Sequence, residues 1–139
     1  MSNQTKRDIR NAFLESRPDV RKLWDAHARR RELALAFVHM RTRARLSQAQ
    51  VAEQAGWNKS YVSRLESIDD GSIPDTDTIA RYARACEMEV GLVFAEPKGK
   101  HQVVDVVPLQ GGREGDGVLK TLRDEALAAY STTREFDKR

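Results

Sequence analysis

The sequence predicts a mainly α-helical chain: a helix-turn-helix domain, four helices by count from Leu33 onward, with an N-terminal helical extension, followed by a β-hairpin and a C-terminal helix. Three observations carry this. Two short amphipathic stretches meet at Gly56, with helix-capping residues on either side of the junction. Apolar residues recur at spacings of three and four before residue 87 and again over 118–130. Between those regions, over 88–109, the spacing falls to two, the period of a strand. The boundaries drawn are 1–32 for the extension, 33–87 for the helix-turn-helix domain, 88–109 for the hairpin and 110–139 for a linker and last helix.

In chain order, 1–5 is expected to be a loose end, and 6–15 a short helix with Ile9, Phe13 and Leu14 as its apolar side. Pro18 suits a first helical turn, because its missing N–H would have no partner there. From it a helix with Val20, Leu23, Trp24 and His27 on one face runs towards Arg31, and 33–45 forms the first helix of the central domain. The two could be continuous.

Ser47 is the next helix cap, with apolar Leu46 before it, and Leu46, Val51, Ala52 and Ala55 can share one buried face. Gly56 closes that helix by adopting the left-handed conformation, and Asn58 caps the following one within a tight turn. Trp57 is expected to plug the core beneath the turn. In the run Ser60-Tyr61-Val62-Ser63-Arg64-Leu65-Glu66-Ser67-Ile68, Val62 and Leu65 point inward, while Ser60, Ser63, Arg64 and Ser67 share the outer side. Three serines beside one arginine leave a low polar ridge that can approach base edges. Arg64 can offer a bidentate fork to guanine or grip a phosphate. Lys59 and the backbone amides behind Asn58 favour phosphate. Tyr61 is open between packing at the domain edge and touching a thymine methyl or phosphate. The bland alternative for this ridge is a solvated helix face.

The stretch from Arg41 through Arg45-Leu46-Ser47-Gln48 and Gly56-Trp57-Asn58-Lys59 to Glu66 resembles the Xre/Cro, phage-repressor type of helix-turn-helix domain over 33–87. The resemblance implies a repressor-like bundle of four or five helices and sequence-specific DNA binding. It also implies that Arg41 pairs with Glu66, a structural ion pair rather than a DNA contact, and that Gln48 contacts a backbone phosphate or braces the recognition helix. The candidate DNA-binding set is therefore Gln48, Asn58, Lys59, Ser60, Tyr61, Ser63, Arg64 and Ser67. Arg45 departs from the pattern, since many members have glycine there; it puts a cation where they have a flexible joint.

Beyond the second helix, Asp69-Asp70-Gly71-Ser72-Ile73-Pro74-Asp75 is an acidic turn that a phosphate backbone would repel. Thr76 or Asp77 is expected to cap a helix whose Ile79, Tyr82, Ala83 and Cys86 close the core. Met88, Val90, Leu92 and Phe94 then alternate in strand fashion, Pro97 and Gly99 suit a four-residue turn, and 101–109 reads as the return strand. An isolated hairpin is marginal in water, so its apolar face needs the helical domain or a second copy, and dimerisation is favoured. The segment 110–117 is a flexible joint, lacking the lysine and serine or threonine of a phosphate-binding loop. A helix over 118–130 carries Leu119, Leu122 and Ala126, with Ala129 or Tyr130, as its stripe; it could fold back, stabilise a dimer or stay loose. Residues 131–139 are expected to be disordered.

Net charge is only +3, but residues 1–46 hold twelve Lys/Arg against five Asp/Glu, whereas 47–95 hold four against eight. Arg29, Arg30, Arg31, Arg41, Arg43 and Arg45 could flank a duplex and supply salt-sensitive binding, although a solvated face explains 29–31 equally well. The lone Cys86 excludes an intramolecular disulfide, and His27 and His39 lack ligand-spaced partners, so neither a metal nor a cofactor is expected. No signal peptide, membrane span or lipidation motif is found, which points to the bacterial-type cytoplasm, and the resemblance implies the same for a bacterial or phage protein associated with the nucleoid. No catalytic set survives the spacing test, which argues against an enzyme. Two classes remain: a homodimeric repressor of a palindromic operator on double-stranded DNA, or the antitoxin of a toxin–antitoxin pair, HigA-like, whose hairpin or tail would meet a toxin protein.

Overall fold

A computed structural model of the 139-residue chain describes residues 2–68, 72–97, 102–110 and 117–137, with side chains to 129 in the last helix. The chain is mainly helical. Helices α1 (Asn3–Ser16) and α2 (Pro18–Ala26) form the extension, followed by α3 (Ala28–Arg43), α4 (Gln48–Ala55), α5 (Lys59–Leu65) and α6 (Thr76–Ala85). Strands β1 (Gly91–Ala95) and β2 (Val103–Pro108) pair antiparallel, and α7 (Val118–Asp137) ends the described chain.

The first helix begins earlier than its apolar pattern suggests. Ser2 caps it by accepting from the Thr5 amide at 3.2 Å, so most of the expected loose end is helical. Of its apolar side only Leu14 is buried, while Ile9 and Phe13 stay exposed. Pro18 occupies the first turn of α2 as expected, but the helix does not continue to Arg31. His27, at φ −99° and ψ 3°, breaks it, and 28–31 become the first turn of α3.

The core is where the pattern puts it. Phe37 of α3, Val51, Ala52 and Ala55 of α4, Val62 and Leu65 of α5, and Tyr82, Ala85 and Cys86 at the end of α6 form one buried cluster. The rings of Phe37 and Tyr82 lie 4.5 Å apart at its centre. Trp57 packs against the cluster's edge rather than at its centre. Asp75, one residue before the expected positions, caps α6 through the Thr78 amide at 2.8 Å, and that bond holds its carboxyl below the usual value. Of the acidic turn before it, 69–71 lie outside the described residues.

The strand begins three residues later than the alternation suggests. Glu87 adopts a left-handed φ of 56° and the Met88 amide returns to the Ala83 carbonyl at 2.8 Å, closing α6 and directing Met88 onto the helical core. Leu92 then faces Val107, and Val93 faces Val106. Gly99 of the expected turn lies outside the described residues. Of the outcomes open for the last helix, α7 folds back onto β2. Val106 and Ala126 are buried there, and Gly91 comes so close to Leu119 and the Val107 carbonyl that a Cβ would sit 2.9 Å from that oxygen. The backbone of α7 continues to Asp137, through most of the expected disordered tail. On the opposite face of the hairpin Leu92, Phe94 and Val107 are 42–52% exposed around Asp105, while on the α7 side Val93 and Val104 also stay about half exposed.

Candidate nucleic-acid interface

Local hydrogen bonds fix the two helices and their turn. Ser47 and Gln50 form a reciprocal capping box, with the Gln50 amide donating to Ser47 Oγ at 3.1 Å and the Ser47 amide to Gln50 Oε1 at 2.8 Å. Gly56 sits at φ 72°, and the Trp57 amide reaches back to the Ala52 carbonyl at 2.8 Å, the bond that closes a left-handed C-terminus. Asn58 Oδ1 accepts from the Tyr61 amide at 2.8 Å and starts α5. Ahead of α4, Arg45 is also left-handed, at φ 59°. The departure from glycine therefore leaves the turn in place, built with a side chain in a conformation that glycine adopts without strain.

On α5, Val62 and Leu65 are buried and Lys59, Ser60, Ser63 and Arg64 are exposed, so the ridge faces outward. Ser67 is not part of it. The helix ends at Leu65, and Ser67 lies past its C-terminus, half-buried. Tyr61 is half-buried, with its ring edge-on to Trp57 at 4.9 Å and the Arg64 guanidinium 5.6 Å from its centroid. The Asn58 side chain is occupied as a cap.

Beyond the C-terminus of α5, three donors converge on Glu66. Arg41 Nε donates to Oε1 at 2.6 Å and Gln48 Nε2 to Oε2 at 2.7 Å. The Tyr82 hydroxyl shares its proton between the Phe37 carbonyl at 2.9 Å and Glu66 Oε1 at 3.2 Å. The carboxylate is almost wholly enclosed, its side chain 4% exposed against 18% for Arg41. Its hydrogen bond and charge hold the Arg41 guanidinium above its ordinary value. Burial first, and then the Glu66 charge, pushes the Tyr82 phenol far up. Arg41 also donates to the Leu46 carbonyl at 3.2 Å, tying the end of α3 to the start of α4.

Two participants escaped the sequence reading. Tyr82 reads as a core aromatic, and only its hydroxyl, set among buried neighbours, hints at more. Arg30 is not a flanking or solvated cation. It is 2% exposed and donates to the carbonyls of Arg64 and Leu65. Its neighbour Arg31 lies 3.5 Å over the Trp24 ring and donates to the Trp24 carbonyl at 2.8 Å. Arg29, Arg43 and Arg45 are exposed. Among the described residues, no group of three His, Cys, Asp or Glu side chains is placed to hold a metal, and no helix is long and apolar enough to cross a membrane.

Residues 32–93, somewhat less than half of the chain, match a family model described as a helix-turn-helix domain. The match runs from the second turn of α3 to the middle of β1, and the chain thus contains such a domain. No curated protein and no solved structure matches the chain.

Proposed function

We propose that the protein is a sequence-specific DNA-binding transcriptional regulator that inserts α5 into the major groove. The observation that carries this is the outward ridge of Lys59, Ser60, Ser63 and Arg64 on a helix fixed at both ends. Short serines let the helix approach base edges, Arg64 supplies the fork that guanine accepts, and Lys59 meets phosphate. Tyr61, held edge-on to Trp57, offers an apolar edge to a thymine methyl. Gln48 and Asn58 act from behind, holding the helix, while Arg43 and Arg45 supply the sequence-independent attraction.

The active form in this reading is a homodimer that represses by occupying a palindromic operator. What supports it is the exposed side of the hairpin opposite α7, where Leu92, Phe94 and Val107 lie uncovered around the charge of Asp105. Phe94→Lys tests the interface, because a charge there leaves the α7 side untouched; a variant that still dimerises rejects the hairpin as the contact.

Selection of bound fragments from a random duplex pool tests the whole reading. A palindromic consensus is expected, and no enrichment over background refutes it. On the selected site, Arg64→Ala should cost about 1–3 kcal/mol and relax preference at one base pair. Lys59→Ala should weaken all sequences alike and reduce the salt slope by about one unit.

A further inference from the structure

The buried face of α3 carries Arg30, Ala34, Phe37 and Arg41, spaced at four, three and four residues. Its two arginines stand about three turns apart, and both reach the C-terminal end of α5. Arg41 takes the Glu66 side chain. Arg30 takes the backbone: its Nη2 donates to the Arg64 carbonyl at 2.9 Å and its Nη1 to the Leu65 carbonyl at 3.0 Å.

The last carbonyls of a helix lack their usual amide four residues on and carry the negative end of its dipole; here the Arg64 carbonyl also accepts from the Ser67 amide at 3.1 Å, which leaves its second lone pair for Arg30. A planar guanidinium with two forward N–H groups matches two successive carbonyls at that end. Among the described residues no carboxylate pairs with Arg30, so the end of α5 is its counter-charge. The placement is costly. The side chain is 2% exposed and its Nε has no hydrogen-bond partner. An apolar side chain of similar size would fill the same volume without that cost, so space-filling does not account for an arginine there.

We infer that Arg30 is a positioning residue for DNA reading: it clamps the backbone of Arg64 and thereby sets the aim of the side chain proposed to read a base. This rests on α5 being the DNA-reading helix. Phosphate contacts tolerate small shifts of a helix end, whereas a bidentate base contact does not. Loss of the clamp therefore shows as lost discrimination more than as lost affinity for DNA in general.

The test uses the full chain with Arg30→Met, which keeps the aliphatic stem, and Arg30→Gln, whose amide is too short to span both carbonyls. Affinity is measured for a fragment selected by the wild type and for an unrelated duplex, with amide hydrogen exchange followed in the free protein. The operator-to-unrelated ratio should fall about tenfold or more in both variants. Exchange should quicken in the last turn of α5 while α4 and α6 keep their protection. Arg30→Lys, which restores the charge and N–H donors on one nitrogen but not the two-nitrogen fork, should recover part of the ratio. A variant that folds and keeps both the ratio and the α5 protection overturns the inference; if R30M does not fold, R30Q decides. A wild type that prefers no sequence instead refutes α5 as the reading helix, and unchanged exchange then still removes the clamp.

Discussion

Replacing Glu66 by alanine strips three donors of their acceptor at once. They are not equally stranded. Tyr82 keeps the Phe37 carbonyl, and half-buried Gln48 can turn to water, but Arg41 Nε, on a side chain 18% exposed, is left facing the gap. Breaking a buried ion pair from one side costs about 3–5 kcal/mol, and the remaining Arg41 bond to the Leu46 carbonyl favours the lower end, about 3. Glu66→Gln should cost less, about 1–2 kcal/mol, because the Gln48 amide can flip to present its oxygen to the new N–H₂. Urea unfolding followed by circular dichroism reads both, as a shifted midpoint with unchanged slope. Pairing Glu66→Ala with Arg41→Met removes the stranded cation, so the double variant should be more stable than the sum of the single losses allows, with a coupling of about 2 kcal/mol. A loss below about 1 kcal/mol in Glu66→Ala, or strict additivity in the cycle, would refute Glu66 as the tie between α3, α5 and α6.

Three further outcomes follow from the backbone and the core. Arg45→Gly should raise stability by about 0.5–1 kcal/mol in the same urea assay, since relief of the left-handed strain, about 1–2 kcal/mol, exceeds the entropy glycine adds to the unfolded chain; a lowered midpoint refutes it. Gly91→Ala should cost about 1–3 kcal/mol locally, because its methyl would lie 2.9 Å from the Val107 carbonyl and 3.2 Å from Leu119 Cδ1. Protease sensitivity should rise in the hairpin and α7 but not over α3–α6. Burial pushes the Cys86 thiol from 9.0 up to about 11, so its contribution to stability is complete below pH 9 and is lost as pH rises through the folded value. A thiol reagent at pH 8 should label it slowly in the native protein and at once in urea; fast native labelling contradicts the burial.

The central motif was legible because its determinants are local. Ser47, Gly56 and Asn58 each act within a few residues, through a cap or a left-handed turn, and the inward set Val51, Ala52, Ala55, Val62 and Leu65 follows from helical period alone. What escaped was decided across the chain. A run of arginines gives no sign of which member turns inward until the acceptors are known, and those of Arg30 lie 34 and 35 residues away. The expected place of Ser67 on the ridge fails for the same reason: α5 ends at Leu65, where Arg30 and Glu66 meet it, although its apolar pattern could continue. Glu87 hides the start of β1, because a left-handed glutamate carries no compositional mark. The cap at Ser2 is readable as a serine ahead of a helix, but the apolar stripe that marks the helix does not begin until Ile9.

A helix of seven residues cannot hold its own shape in water, since it closes too few hydrogen bonds to offset the cost of nucleation. Whatever rigidity α5 would bring to DNA in the proposed reading must come from outside it. Asn58 fixes its first turn, Val62 and Leu65 anchor its inner face, and past Leu65 the chain is held through backbone by Arg30 and through side chain by Glu66. All of these but Asn58 are buried or nearly so, away from the ridge. The discrimination of bases proposed for Arg64 should therefore respond to substitutions at Arg30, Arg41, Glu66 and Tyr82 as sharply as to some on the ridge, whereas exposed serines that only clear space, such as Ser60, should tolerate alanine. If an alanine scan instead confined every loss of specificity to Lys59, Ser60, Ser63 and Arg64, the short helix would be reading DNA unaided, and the argument from its fixed ends would fall.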